Sequence, residues 1–414
     1  MSAQPDSTAF ILPGVIPDRE TIEGWQQWRL TRHAFVPAPR LTLAAYRKLS
    51  PRRRQIHDLH RIATHANLPM QETPMTRAVG KLMRSRLQTN SVKRKPTTRP
   101  GLMITGGGYQ GKTETACEFA AAFEDTWLDM HAQINPAALP GTRDLHVPVA
   151  YVQTPVTAKP KSTCQAILDF FGADYKGMNL PQLTRAVRTS LRDHGNRVLL
   201  LDDITRLKMH RADDQDTLDL LRAFMSMHTT LVLIGVDIPG SGLLREGRHD
   251  PRTGQWVFPP STAEGDDPAT QTERRFDLVH LEPFRYDTAK GIVAWTEHLA
   301  GLQDGLRLFR AAPDMLTGGT MPEYLFRRTR GVVGLLERLI EEGCAEAIET
   351  GVETLTTDLL DGILINLGND PRRDPEAGEI PDVPEPAPPR TAKRASRPHN
   401  TVFDDHGTSP AAGQ

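Results

Sequence analysis

Long apolar runs, cysteines and aromatic residues are all scarce in this chain of 414 residues. Aromatic residues make up 6% of it and there are three cysteines. No apolar stretch approaches the ~20 residues of a membrane helix, so we expect no membrane span. The first ten residues lack a basic segment followed by an apolar core, which predicts no signal peptide and a cytoplasmic protein. The widely separated Cys117, Cys164 and Cys344 lack metal-site spacing, so we expect reduced, buried thiols.

Charge is distributed unevenly along the sequence. Residues 1–99 contain 18 Lys and Arg against 6 Asp and Glu, a balance of +12, and the remaining 32 against 45 give −13. Such a basic segment predicts contact with a polyanion, with nucleic acid the obvious candidate. A solvated helical face and a surface that docks on an acidic partner remain alternatives. The candidate DNA-binding residues are Arg52, Arg53, Arg54, Lys93, Arg94 and Lys95.

One eight-residue segment matches a phosphate-binding loop at every fixed position. Gly106-Gly107-Gly108-Tyr109-Gln110-Gly111-Lys112-Thr113 fits G-x-x-x-x-G-K-[ST], with a short apolar run before it and a helical pattern after it. Glycines let backbone N–H groups turn towards a phosphate, and the start of the helix adds a positive field. We expect Lys112 to reach the β- and γ-phosphates and the Thr113 hydroxyl to bind Mg²⁺. The sequence therefore predicts a nucleoside triphosphate site.

Two carboxylates follow a buried strand about 90 residues after this loop. The run 197–201 is apolar after its first residue and ends at Asp202 and Asp203. An ATPase needs one carboxylate in the Mg²⁺ shell and another to polarise the attacking water. We assign Asp202 to the metal and Asp203 to the water. An ordinary acidic strand end is the structural alternative.

Two further positions are candidates by their order in the chain. Asp237 follows the apolar strand 231–235 and could sense the γ-phosphate through the attacking water, but a structural turn at 237–240 is an equal alternative. Arg274 and Arg275 precede the last predicted strand. Arginine there could stabilise the transition-state charge at a neighbouring subunit's nucleotide, with a solvated surface pair as the default interpretation.

Apolar runs of strand length alternate with helical segments between residues 101 and 282, which predicts an α/β fold with a parallel sheet flanked by helices. The predicted strands are 102–105, 147–152, 198–201, 231–235 and 278–281. The predicted helical segments include 112–124 in the core and 355–366 near the end of the lid. The polar stretch 245–272 is expected to be a long surface loop. Four units are predicted: a basic, largely helical N-terminal arm (1–99), the core (100–284), a small all-α lid (285–367) and a disordered Pro-rich tail (368–414).

The order of loop, Asp-Asp strand, polar strand end, Arg-Arg and helical lid resembles that of AAA+ P-loop ATPases. The segments 148–155, 164–173, 235–239 and 329–336 are similar to TniB/TnsC-type transposition helper ATPases, over about residues 50–366. The resemblance implies a DNA-binding ATPase that forms rings or filaments with ATP and connects target DNA to a transposase. It also implies Arg275, rather than Arg274, as the finger that reaches the next subunit.

The sequence departs from the family pattern at two positions. Asp203 stands where Glu is usual, so hydrolysis is expected to be slow and stimulated by assembly or a partner. Gly334 stands where many AAA+ relatives have a sensing Arg, and Arg330 is the candidate substitute.

Three functions are compatible with these residues. The first is an ATP- and Mg²⁺-dependent, DNA-binding AAA+ regulator that oligomerises and recruits or activates a transposase. The second is an AAA+/STAND-like nucleotide switch in signalling or defence that acts through protein partners. A metabolic kinase is the weakest, since it would need a pocket for an acceptor substrate.

Overall fold

The structure is a computed structural model, and it describes residues 14, 16–135, 137, 146–156, 159–206, 215–241, 244, 248–250, 255–257 and 272–367. The strands are β1 (Gly101–Gly106), β2 (Val149–Gln153), β3 (Val198–Asp202), β4 (Thr230–Gly235), β5 (Arg248–Asp250), β6 (Gln255–Val257) and β7 (Phe276–Leu281). The helices are α1 (Ile22–Thr31), α2 (Leu43–Arg47), α3 (Pro51–Ala66), α4 (Pro74–Ser91), α5 (Lys112–Ile134), α6 (Pro160–Phe170), α7 (Leu180–Asp193), α8 (Gln215–Met225), α9 (Ala289–Gly305), α10 (Met321–Thr329), α11 (Val333–Glu349) and α12 (Thr357–Asp361). Short 3₁₀ turns occupy 204–206 and 273–275.

The centre of the molecule is a five-stranded parallel sheet in the order β2-β3-β4-β1-β7. Strands β1, β3 and β4 are buried along nearly their whole length. Such continuous burial requires the runs of Val, Leu and Ile that the sequence shows. The five predicted strands and the α/β fold class, a parallel sheet flanked by helices, are confirmed.

The register of the sheet brings the carboxyl ends of the strands together. Gln153 pairs with Asp202, Thr105 with Gly235, and Gly106 with Leu281. In a parallel α/β sheet, ligands bind at this edge.

Two hydrophobic cores organise the side chains. The larger surrounds the sheet and includes Trp25 of α1 and Leu87 of α4. The second lies among α9–α12 and includes Trp295, Leu336 and Ile340. The division of the chain at residues 99, 284 and 367 stays a prediction, and the predicted tail lies outside the described residues.

A buried ion pair connects α3 to the part of the chain that contains α9–α12. Arg61 of α3 donates to both carboxylate oxygens of Glu353, at 2.7 and 3.1 Å, and its guanidinium lies 4.3 Å from the ring centre of Phe309. The backbone N–H of Phe309 also donates to Glu353, at 3.1 Å. The basic helix α3 is therefore fixed to the C-terminal helices.

Helix α5 is ten residues longer than the predicted 112–124 because its polar residues have buried partners. Glu124 is 1% exposed and accepts a hydrogen bond from the Trp25 indole at 2.5 Å, while Arg29 and Arg32 pair with Asp125. Burial raises the pKa of Glu124 to about 7. Apolar periodicity alone could not identify a buried carboxylate as part of a helix.

Part of the polar stretch 245–272 differs from the surface loop that we expected. Strands β5 and β6 pair antiparallel, with His249 opposite Trp256. An Asp-Pro and a Gly between two short runs is a hairpin signal that could have predicted it. Residues 251–254 and 258–271 lie outside the described part of the chain. Helix α12 is shorter than the predicted 355–366.

The three cysteines are buried and free, as expected. Burial raises the pKa values of their thiols, that of Cys164 to about 11. Across the described residues, no helix combines the length and apolarity that a bilayer crossing demands.

Candidate active site

The glycine loop connects β1 to α5 and is shaped for close backbone approach. A Cβ on Gly106 would lie 2.3 Å from the Leu281 carbonyl oxygen, so this position accepts only glycine. Gly111 has φ of +69°, and no side chain caps the start of α5. The first N–H groups of α5 therefore point out of the helix without a side-chain partner, which suits a phosphate.

Lys112 lies across the loop. Its Nζ donates to the Gly107 carbonyl oxygen at 2.6 Å. Burial lowers the pKa of this amine, and the charges of Asp202 and Asp203 oppose the shift. The positively charged amine of Lys112 therefore lies beside the backbone N–H groups of the loop.

Asp202 ends β3 and is 4% exposed. Its Oδ2 accepts from the Thr113 hydroxyl at 2.7 Å and from the Tyr151 hydroxyl at 2.9 Å. Its Oδ1 accepts from the Asp203 N–H at 2.8 Å. The structure therefore brings together the two residues that were predicted to hold Mg²⁺. Hydroxyl and carboxylate oxygens are the ligands that this ion prefers.

Tyr151, the middle residue of β2, was not identified from the sequence. Burial and the neighbouring Asp202 raise the pKa of its phenol. It therefore donates its proton to the carboxylate and fixes its orientation.

Asp203 is held by two residues that sequence reasoning missed. Arg206 pairs with its Oδ2 at 2.8 Å, and the Gln153 amide donates to the same oxygen at 3.1 Å. Arg206 also donates to the Thr154 carbonyl oxygen at 2.9 Å. With φ of +50°, Asp203 sits in the left-handed region. In this arrangement its carboxylate is partly neutralised and turned towards β2.

Asp237 follows β4, the strand between β1 and β3, as predicted. Its Oδ1 accepts from the Gly240 N–H at 3.1 Å, and the Ile238 N–H donates to the Thr105 hydroxyl at 3.1 Å. The geometry is that of the structural turn that was the alternative for this residue. A sensing role for Asp237 stays a prediction.

Arg274 and Arg275 lie exposed in the 3₁₀ turn before β7. They sit at the amino end of β7, whereas Leu281 at its carboxyl end lies beside Gly106. Six strand residues at about 3.3 Å each separate the two ends by about 20 Å. Neither arginine lies at this chain's own glycine loop.

The start of α11 touches the glycine loop. The Gly334 N–H donates to the Tyr109 carbonyl oxygen at 2.9 Å, and a Cβ on Gly334 would lie 2.9 Å from that oxygen. A sensing Arg at this position has no room, which accounts for the departure from the family pattern. Arg330 ends α10 in the left-handed region, four residues before this contact.

A cleft of about 1020 Å³ extends from the glycine loop. It is bordered by the N-terminal segment, the start of α5 and the C-terminal helices. Its walls include Tyr109–Gly111 of the loop, the segment 66–71 between α3 and α4, His298 of α9, and Val333 and Gly334. The predicted site ended at the phosphates, so this cleft was missed.

The candidate DNA-binding residues lie in two places. Arg52 and Arg53 are exposed in the first turn of α3, while Arg54 folds back to the Leu49 carbonyl oxygen at 3.0 Å. Arg94 and Lys95 are exposed before β1, and Lys93 donates to the Asn90 side chain at 3.2 Å. An exposed row on α4, residues 77, 81 and 84, is a further basic surface beside a groove of about 830 Å³.

Comparison with known proteins supports the family resemblance. The family model described as "Bacterial TniB protein" matches residues 75–241. A comparison with curated proteins gives no match. The solved structures that are similar to this chain include Cdc6p from Pyrobaculum aerophilum, the ORC1 protein from Aeropyrum pernix in complex with DNA, and AMPPCP-bound DnaA from Aquifex aeolicus.

The likeness to these structures concerns the fold alone. For Cdc6p the identity is 13% and the TM-score 0.43, over 68% of this chain and 64% of that one. For ORC1 they are 15% and 0.46, over 73% and 68%, and for DnaA 15% and 0.36, over 67% and 63%. This chain spans slightly less than two thirds of the Cdc6p and DnaA chains.

Proposed function

Starting from a TniB-family match at residues 75–241 within an AAA+ P-loop fold, we propose an ATP-dependent, DNA-binding regulator. It oligomerises with ATP and recruits or activates a transposase at target DNA. The observation that carries the proposal is the 2.7 Å hydrogen bond between Thr113 of the glycine loop and Asp202 of β3. It unites a phosphate-binding loop with a metal-binding carboxylate at one sheet edge.

The residues at this edge fit ATP and Mg²⁺. The start of α5 and Lys112 would bind the phosphates, and Thr113 and Asp202 would hold the ion. Magnesium there would neutralise charge on the phosphates. Among the described residues, no group of three or more His, Cys, Asp or Glu side chains forms a separate metal site.

Hydrolysis is proposed to be slow without a partner. Asp203 would orient the attacking water, but its Oδ2 is held by Arg206 and Gln153. These contacts must loosen before the carboxylate can accept a proton from water. Assembly or partner binding would supply the rearrangement.

Sharing of the site between subunits is supported by the position of Arg275. Its side chain is exposed at the sheet edge opposite the glycine loop, so it suits a neighbour's nucleotide better than its own. We propose that Arg275 stabilises the transition-state charge of the adjacent subunit.

DNA contact is proposed through phosphates, with little sequence preference and strong salt dependence. The exposed Arg52, Arg53, Arg94 and Lys95 are the candidates. The test is binding to a random-sequence duplex with and without ATP and Mg²⁺, with particle size measured at two salt concentrations.

Salt-sensitive assemblies that grow only with ATP would support the proposal, and Lys112→Ala should abolish them. Nucleotide binding without any DNA association would favour the alternative, a switch that acts through protein partners. Nucleotide binding by Lys112→Ala at the unchanged affinity would refute the loop assignment.

A further inference from the structure

Arg19 lies just before α1 and contacts two of the elements that build the metal-binding edge. Its guanidinium forms an ion pair with Glu114 in the first turn of α5, with 2.9 Å between Nη1 and Oε1. Its guanidinium carbon also lies 5.3 Å from the ring centre of Tyr151 on β2. One side chain therefore bridges the start of α5 and the middle of β2.

These two elements carry the two hydroxyl groups that donate to Asp202. Thr113 directly precedes Glu114, and its hydroxyl donates to Asp202 Oδ2 at 2.7 Å. The Tyr151 hydroxyl donates to the same oxygen at 2.9 Å. Arg19 thus contacts the residue next to the first donor and the ring of the second.

Aromatic rings hold the Arg19 guanidinium in this position. Besides Tyr151, the ring centre of Trp28 lies 5.1 Å from the guanidinium carbon. Trp28 is 5.1 Å from Trp25, whose ring stacks on Tyr151 at 6.2 Å with 12° between the planes. The Arg19 side chain is only 21% exposed, and a cation attracts an aromatic ring more strongly where water is excluded.

The ion pair limits the effect of the arginine's charge on a bound cation. An unpaired guanidinium beside this edge would repel Mg²⁺, since like charges repel at short range. Glu114 supplies the opposite charge, so the pair as a whole is neutral. Arg19 can therefore act on the metal site through packing instead of through net charge.

We propose that Arg19 is a positioning residue for the Mg²⁺ site, because it keeps the Tyr151 hydroxyl on the Asp202 carboxylate. The inference rests on the proposed binding of ATP and Mg²⁺ at this edge. Without the Arg19 side chain, the Tyr151 ring would have room to move, and its hydroxyl would hold Asp202 less firmly. The carboxylate would then be less well oriented for the ion.

The test measures how much Mg²⁺ tightens nucleotide binding by the full chain. The measured quantity is the ratio of the AMPPCP dissociation constants in EDTA and in saturating Mg²⁺, obtained by titration calorimetry without hydrolysis. Arg19→Met should lower this ratio roughly three- to ten-fold and leave the constant in EDTA unchanged. Arg19→Lys retains the charge but not the planar group, so it should give a smaller loss in the same direction.

Tyr151→Phe decides whether Arg19 acts through the tyrosine. This variant keeps the ring but loses the hydroxyl that donates to Asp202, so it should lower the ratio about ten-fold by itself. Adding Arg19→Met should then have little further effect, because the two residues act through one contact. Arg19→Met combined with Glu114→Gln removes the ion pair without changing the net charge, and should lower the ratio as much as Arg19→Met alone.

Arg197→Met is the matched control. Arg197 also lies 5.3 Å from the centre of an aromatic ring, that of Trp127, but it precedes β3 at the end opposite Asp202. The ratio should be unchanged in this variant. Thermal melting without ligand checks that both Met variants are folded.

Three results separate the possible failures. An unchanged or larger ratio in Arg19→Met, including an equal loss of affinity with and without Mg²⁺, would overturn the inference and leave the metal site standing. A loss from Arg19→Met that persists in full in the Tyr151→Phe background would overturn the route through Tyr151. A wild-type protein whose AMPPCP affinity does not respond to Mg²⁺ would refute the metal site and the inference with it.

Discussion

Replacing Arg206 with alanine should raise the basal rate of ATP hydrolysis. Arg206 pairs with Asp203 Oδ2 at 2.8 Å, the carboxylate that we propose to orient water. Without the guanidinium, the Gln153 amide still holds that oxygen, at 3.1 Å. Asp203 should then turn towards the nucleotide more often.

The size of the effect follows from the exposure of the pair. The side chains of Arg206 and Asp203 are 37% and 43% exposed, so solvent screens their attraction. Ion pairs of this kind contribute roughly 0.5–1 kcal/mol, which corresponds to a rate increase of roughly two- to five-fold. The assay is steady-state phosphate release at saturating ATP and Mg²⁺, without DNA.

Two further variants make the assay decisive. Arg192→Ala breaks a comparable exposed pair with Asp193, at 2.8 Å on α7, and should leave turnover unchanged. Asp203→Asn should block hydrolysis in both the wild-type and the Arg206→Ala backgrounds while ATP still binds. Equal or lower turnover in Arg206→Ala at unchanged ATP affinity would refute the view that this pair restrains Asp203.

Three other predictions concern the subunit contact, the loop and the core. Arg275→Ala should impair hydrolysis in the assembled state but not ATP binding by the monomer; mixtures with Lys112→Ala subunits that never recover activity would contradict shared sites. Gly334→Ala should lower the free energy of unfolding by about 1 kcal/mol or more, since the new Cβ would lie 2.9 Å from the Tyr109 carbonyl oxygen. The same displacement of the glycine loop should lower ATP affinity. An unchanged melting curve would show that the Tyr109 backbone moves away at little cost. Glu124→Gln should alter the pH dependence of unfolding. Because burial raises the pKa of Glu124 from 4.5 to about 7, the folded state binds the extra proton, and wild-type stability should fall as pH rises between these values, by about 3 kcal/mol in total. Denaturant unfolding at pH 5 and pH 8 measures the decline, and an equal decline in Glu124→Gln would rule out this carboxylate as its source.

The fold was predictable because its main signals are local. Each strand of the sheet is a short apolar run, and the glycine loop joins one of them to a helix. The same locality explains the errors. Glu124 and Asp125 looked like a helix end, but Trp25 and Arg29 of α1, and Arg32 just after it, pair with them across 93 to 99 residues of sequence.

The candidate site was predictable to the extent that a residue's own motif defines its chemistry. Lys112, Thr113, Asp202 and Asp203 follow from their positions after strands. The partners of Asp203 do not, because Gln153 ends another strand and Arg206 lies in a turn that no pattern marks. The register of β2 with β3 brings Gln153 beside Asp202.

By itself, the sequence determined the phosphate loop, the acidic strand end and the parallel sheet, since backbone geometry and side-chain periodicity are encoded within a few residues. The tertiary structure decided which charges are neutralised and which glycine must stay a glycine. Those properties depend on burial and on distances between distant segments. Tyr109 meets Gly334 only once the C-terminal helices have packed against the sheet domain.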